Sequence, residues 1–205
     1  MPSRGVYAKG AARREEILAT ALRVVAEKGY TSTSLRGIGR ELGVEPAHIL
    51  HYFGSREELL CEVVERWDRG SLDVAGPQAD ALAVYSAALR HNLSIRGIVQ
   101  LYLAFAAEAA DESHAAHAYF RDRFAVSVRE LAAAIDCGRQ AGQIRPAVES
   151  ERTARMLIAL ADGLQLQSLM DPAVDAPAEF DAAMDELFVT GTREPIDRPA
   201  RRTAG

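Results

Sequence analysis

Cysteine is scarce in this chain: Cys61 and Cys137 are the two in 205 residues, far apart and each in apolar surroundings. No second thiol stands near either one. A disulfide framework and a CxxC metal site are therefore excluded, and two reduced thiols are expected. Tryptophan is scarcer still, with Trp67 alone, and the aromatic residues are too scattered for a cation-binding cage to be read from their spacing. Uninterrupted apolar runs of about 18 residues are missing, so no membrane span is expected. The opening MPSRGVYAKGAARREE has basic residues but no apolar stretch behind them, which makes a cytoplasmic protein the expectation. Period-two runs of Val, Ile and Thr are absent, which argues against a sheet. Also absent are HExxH, GxSxG and a phosphate-binding glycine loop, as are the two Glu-x-x-His motifs that a di-iron bundle takes from different helices. No cofactor is expected.

Positive charge is in deficit too, with 24 Lys+Arg against 29 Asp+Glu for a formal net charge of -5. Taken as a whole this argues against a nucleic-acid partner, which ordinarily meets a basic footprint. The total hides a division. Residues 1–56 hold nine basic and five acidic side chains, a net +4, and the remainder of the chain is at -9. Such asymmetry marks two functional regions, one attracted to an anion and one not.

What is abundant is helix-forming sequence. Ala, Leu, Glu, Arg and Gln dominate and apolar residues recur at three and four, so the expected class is all-α with about nine helices. Ile17, Ala21, Val24 and Val25 make a stripe on a first helix over 12–28, which stops at Gly29-Tyr30. Thr33 or Ser34 caps a second helix through Leu42, and after the Gly43-Val44 turn Pro46 opens a third, since its fixed φ suits the first helical position. Ile49, Leu50 and Phe53 form the inward face of that helix. Gly54 ends it. Ser55-Arg56-Glu57-Glu58 then reads as a capping box for a fourth helix reaching about Asp68. Further helices are expected over 78–92, 96–111, 114–141, 149–170 and 178–190, and residues 193–205 as a disordered tail.

Two short helices joined by a glycine turn form a helix-turn-helix, whose second helix enters the major groove while the first crosses the backbone. Residues 10–60 resemble, in order and spacing, the TetR family of bacterial transcriptional regulators. The matches are Gly29-Tyr30, Thr33, Ile38, Gly43-Val44, Tyr52-Phe53 and Ser55 to Leu60. Where the family often has a Ser after the turn Val, then a Gly-Thr pair and a Tyr, this chain has Glu45, Ala47-His48 and Leu50. The resemblance implies double-stranded DNA as a partner. Ala47, His48 and His51 are then the candidates for reading bases, and Tyr52 and Arg56 match positions that hold phosphate in the family. Thr33 and Arg36 are placed to hold a flanking phosphate or a base from the second helix. The basic residues Arg4, Lys9, Arg13 and Arg14 form a candidate minor-groove or phosphate arm. Glu45 puts a negative charge near the phosphates, and its role is open.

Beyond residue 70, Ala161 to Gln167 followed by Met170-Asp171-Pro172 is similar to the C-terminal domains grouped with the choline-responsive repressor BetI. That likeness implies a homodimer through a four-helix bundle, with Leu157, Leu160, Gly163, Leu164, Met184 and Phe188 as interface candidates. Gly163 in mid-helix costs about 1 kcal/mol relative to Ala, which close approach of a partner helix would justify. A small-molecule effector is expected among helices five to eight, with Tyr85, Leu101, Tyr102, Phe105, Glu108 and Phe124 as candidate walls. The expected domains are 1–55 for DNA, 56–192 for ligand and dimerisation with residues 56–69 linking, and the tail. The expected function is a ligand-responsive repressor that binds a palindromic operator as a homodimer, not an enzyme and not a membrane protein. Two alternatives stand beside it. Asp111, His114 and His117, spaced by three, offer one helical face to a metal in a helical enzyme. An interaction protein could instead keep the helix-turn-helix core without binding DNA.

Overall fold

The computed structural model describes residues 4–30, 33–76, 79–193, 195 and 196. Among them are nine helices and no strand. The chain forms two compact units. The first combines residues 1–69 with 94–120, and the second combines 70–93 with 121–205.

In the first unit, α1 (Arg4–Lys28), α2 (Leu35–Leu42), α3 (Pro46–Phe53) and most of α4 (Arg56–Ala75) are joined by α6 (Arg96–Glu108). Local chemistry sets these boundaries. The Ser34 hydroxyl accepts from the Gly37 N–H at 3.1 Å and so caps α2. Gly43 ends α2 with φ of 67°, a left-handed conformation that glycine adopts without strain. Pro46 begins α3, and the Ser55 hydroxyl accepts from the Glu58 N–H at 2.9 Å at the start of α4. Ile17, Val24, Ile38, Ile49, Phe53, Leu59 and Leu60 close the core of this unit, together with Leu101 and Phe105 from α6.

Close backbone approach fixes α6 on α1. A Cβ on Gly97 would lie 2.2 Å from the Val25 carbonyl oxygen and 2.8 Å from that of Ala26. Only glycine fits there.

In the second unit, α5 (Ala81–Leu93), the body of α7 (His117–Gln140) from Arg121 on, α8 (Ser150–Met170) and α9 (Ala176–Asp185) enclose Leu82, Leu89, Leu131, Ile135, Leu157, Phe180 and Met184. The packing of α8 on α9 is its most extensive helix pair. None of the described helices is long and apolar enough to cross a membrane.

Several expected boundaries move. The first helix begins at Arg4, well before residue 12. The fourth runs through Gly70 to Ala75 instead of stopping near Asp68, since a glycine inside a helix costs only about 0.5–1 kcal/mol and does not break it. The last helix ends at Asp185, not 190. Residues beyond it turn back so that Phe188 pairs with Ile144, with the Arg145 N–H donating to the Leu187 carbonyl at 2.9 Å and the Val189 N–H to that of Gln143 at 2.8 Å. Leu50, expected inward, is exposed. The disordered tail expected from 193 is also corrected at its start. Arg193 donates its N–H to Asp185 at 2.8 Å, Gln143 donates to the Pro195 carbonyl at 2.9 Å, and Ile196 is buried in the second core. Residues 194 and 197–205 of that tail lie outside the described residues.

Candidate nucleic-acid interface

The recognition helix α3 divides cleanly by face. Ile49 and Phe53 are buried, whereas Ala47, His48 and His51 are exposed and Tyr52 is half-buried. The imidazoles of His48 and His51 each meet the Tyr52 ring edge-on, both with centroids 5.3 Å apart. Tyr52 is thus held between two rings on the side turned to solvent.

The preceding helix supplies charge. Arg36 and Arg40 are exposed on α2, and neither has an ion-pair partner among the described residues. Like charges four apart on a helix destabilise it by about 0.2–0.5 kcal/mol, a repulsion that an anion between them would relieve. Together with Gly39, Gly43, Val44, Glu45 and Pro46 they line a groove of about 590 Å³ at the turn. A Cβ on Gly39 would lie 2.5 Å from the Val44 carbonyl oxygen, so this turn is as tight as glycine allows. Glu45 occupies the N-cap of α3 without a side-chain capping bond. A carboxylate at the positive end of a helix is favourable by roughly 0.3–1 kcal/mol, which accounts for its presence beside two arginines.

Other cations of this region are already engaged. Arg23 and Lys28 converge on Glu41, at 3.3 and 2.8 Å. Hydrogen bonds from Lys28 and then Arg23 hold the Glu41 carboxyl below the usual carboxylate range. Arg13 pairs with Glu16 at 2.6 Å, and Arg14 makes a bidentate pair with Glu62 while lying 4.5 Å over the Phe53 ring. The expected basic arm is therefore helical, with Arg13 and Arg14 engaged by neighbours and Lys9 exposed. The side chain of Arg4 lies outside the described residues.

Thr33 turns inward. Its side chain is 3% exposed and its hydroxyl donates to the Gly29 carbonyl at 2.8 Å, so it has no face left for DNA. Arg56 is half-buried, with its guanidinium 5.1 Å over the Tyr30 ring, one nitrogen donating to the Thr33 carbonyl at 3.4 Å and another 3.7 Å from the Glu57 carboxylate. Arg40, which the sequence reading did not single out, lines the same groove as Arg36, and its spacing of four from Arg36 is the signal that could have found it.

The effector candidates fall in both units. Leu101, Tyr102 and Phe105 are buried in the first, where Phe120 lies 6.2 Å from Tyr102 and 5.4 Å from Phe105 between ring centroids. These rings fill space against one another. The Glu108 carboxylate accepts from the Tyr30 hydroxyl at 2.5 Å. Tyr85 and Phe124 belong to the second unit, Tyr85 beside Phe180 at 6.0 Å and Phe124 in an open groove of about 1050 Å³ with Val128, Arg121, Arg129, Arg139 and Arg155.

Of the dimer candidates, Leu157, Leu164, Met184 and Phe188 are buried in the chain's own second core, and Leu160 packs against that core. The four buried side chains are not available to a partner, whereas Leu160 is half-buried. The exposed apolar residues of α8 are Met156, Ala159, Leu166 and Met170, and with the half-buried Gly163 they follow one another at spacings of three and four, beside the exposed Glu151, Arg152, Arg155 and Gln167. Met156 is 60% exposed and Met170 76%, and a Cβ on Gly163 would meet nothing within 4 Å.

Asp111, His114 and His117 do not share a helical face. Residues 109–116 are turns between α6 and α7, and each of the three groups is bonded locally. The Asp111 carboxylate accepts from the Ser113 N–H and hydroxyl, which lowers its pKa. The His114 Nδ1 accepts from the Ala116 N–H at 3.2 Å, and the His117 Nδ1 lies 2.9 Å from the Ala109 carbonyl. Among the described residues no three His, Cys, Asp or Glu side chains are grouped to hold a metal ion.

Comparison with known proteins agrees with this geometry. The family model described as bacterial regulatory proteins, tetR family, matches residues 17–63, and that described as BetI-type transcriptional repressor, C-terminal, matches residues 77–190. The HTH-type transcriptional regulator BetI of Rhizobium meliloti (strain 1021) is 28% identical over 86% of this chain and 87% of its own. The HTH-type transcriptional repressor KstR2 of Rhodococcus jostii (strain RHA1) is 30% identical over 54% of this chain and 49% of its own. Among solved structures, a putative transcriptional regulator from Saccharomonospora viridis in complex with choline superposes with a TM-score of 0.69 at 24% identity, over 87% of this chain and 98% of that one.

Proposed function

We propose that this chain, which belongs to the TetR family of bacterial regulatory proteins and has a C-terminal domain of the BetI type, is a repressor that binds a palindromic operator as a homodimer and is released by a small-molecule effector. Members of that family are DNA-binding transcriptional regulators and not enzymes. The observation that carries the reading is the pairing of an exposed α3 face, Ala47, His48 and His51, with two guanidinium groups on α2 that lack carboxylate partners among the described residues. The first set suits base edges and the second suits phosphate.

Homodimerisation is supported by the outward stripe of α8. Its apolar residues follow the seam spacing of a helix bundle, and Gly163 leaves room for close approach. In a twofold dimer the two recognition helices enter successive major grooves, with half-sites about 34–36 Å apart or further by whole turns. A small apolar or amphipathic effector in the C-terminal domain would favour a spacing of the heads that no longer fits, and ligand and DNA would weaken one another reciprocally. Choline is the first probe to titrate because a protein of the same fold holds it.

Selection of bound duplexes from a random pool tests the reading. An enriched palindrome is the expected result. With Arg36, Arg40 and Arg56 of both subunits each neutralising one phosphate, log K falls against log salt with a slope of ~-5. A slope near zero, or no retained duplex, would sink the proposal.

A further inference from the structure

Beneath Arg56 the structure shows a chain of contacts that begins outside the helix-turn-helix. Glu108 is the last residue of α6, and its exposed side chain reaches the hydroxyl of Tyr30, itself 5% exposed. Phe105 lies 6.2 Å from the Tyr30 ring, and Arg56 lies over that ring. Arg56 then donates to the carbonyl of Thr33, the residue just before the Ser34 cap of α2. An acidic group at the negative end of a helix does not serve that helix, so α6 stability gives no reason for a glutamate at this position. Burial, followed by the bond to Glu108, pushes the Tyr30 phenol above its ordinary pKa and keeps it a donor.

We propose that Glu108 and Tyr30 are positioning residues for the phosphate contact of Arg56: the carboxylate fixes the phenol, and the phenol ring fixes the guanidinium at the edge of the head. The inference rests on the DNA-binding reading and adds to it that α6 sets a phosphate contact made by α4. An arginine already laid over a ring has less side-chain freedom to lose when it meets a phosphate. Its contact is with the backbone of the duplex, so what Glu108 and Tyr30 control is affinity for every sequence alike.

The test is fluorescence anisotropy of the full chain on its selected duplex and on a scrambled one, at several salt concentrations. Tyr30→Phe keeps the ring and removes only the hydroxyl, and Glu108→Ala changes an exposed side chain whose loss does not threaten folding. Both are expected to weaken the two duplexes by the same factor, roughly three- to tenfold, and to move the salt slope toward that of Arg56→Ala. Glu108→Gln keeps an acceptor for the phenol and is expected to bind as the wild type does. In an Arg56→Ala background neither Tyr30→Phe nor Glu108→Ala should cause further loss. A loss of the same size in that background makes their role merely structural and overturns the inference. So does unchanged binding by both variants, or an Arg56→Ala protein that binds normally. If the wild type retains no duplex at all, the DNA-binding reading fails and this inference falls with it.

Discussion

Arg36 and Arg40 differ from the neighbouring cations in having no carboxylate beside them among the described residues, while Arg13, Arg14, Arg23 and Lys28 all do. Arg36 and Arg40 therefore present two exposed guanidinium groups side by side on α2 without a carboxylate partner among the described residues. Arg36→Ala and Arg40→Ala are each expected to weaken binding to all duplexes alike, and to reduce the magnitude of the salt slope by about 1 for every phosphate left without its cation. His48→Ala should instead change which bases a selection enriches, because in the proposed complex the exposed imidazole on the first turns of α3 meets base edges. A selection that returns the same motif from His48→Ala would show that the face is assigned wrongly. Helical periodicity alone was enough to turn His48 and His51 outward. It was not enough for Thr33, expected as a cap or at a flanking phosphate or base, whose hydroxyl instead donates to the Gly29 carbonyl. Cys61 makes a separate prediction. Burial, with Glu65, Glu57, Glu58 and Glu62 nearby, pushes its thiol up to about 12, so the neutral form prevails at pH 8. Iodoacetamide at that pH should leave Cys61 unmodified in the native protein and label it after unfolding, as read by peptide mass spectrometry.

Helix starts are set by short-range chemistry and helix packing by glycines. Ser34→Ala removes the cap of α2 and is expected to lower stability by about 1 kcal/mol in a urea titration. Gly97 and Gly163 form an instructive contrast. Both sit inside helices, but a Cβ at Gly97 would collide with the backbone of α1, and one at Gly163 would enter open space. Gly97→Ala is expected to destabilise the chain by about 1–3 kcal/mol through displaced packing. Gly163→Ala should stabilise the isolated subunit by about 0.5–1 kcal/mol. Equal and opposite thermal shifts would not be needed to support this, only opposite signs. Sequence spacing identified each glycine as helical without separating these cases, since the difference lies in what the neighbouring element does. The same holds for residues 109–116, where helix-compatible sequence is diverted into turns by Asp111, His114 and His117 bonding to nearby backbone.

As a whole the chain does not divide at one point. Contacts group α6 and the first residues of α7 with the N-terminal helices, and α5 with α8 and α9, so each unit is built from separated stretches. The proposed dimer depends on the outward face of α8. Met156→Glu combined with Leu166→Glu is expected to give monomers in sedimentation velocity with helix content unchanged, and to abolish tight operator binding, because both side chains are already exposed in the subunit. Dimers that persist in this variant would place the interface elsewhere. Residue order alone sufficed for the all-α class, for the bounds of the short helices α2 and α3, and for the outward placing of His48 and His51, though not of Leu50, since caps, turn glycines and a 3.6-residue period are local properties. It could not rank the leucines of α8. Leu157 and Leu164 were expected at a partner's seam, and the folded chain took both inside, leaving Met156, Leu166 and Met170 outside. Nor could residue order show that arginines of the first unit differ, Arg14 paired with Glu62 and Arg36 without an ion-pair partner among the described residues. Burial and ion pairing are contacts between distant residues, and those exist only once the helices have packed.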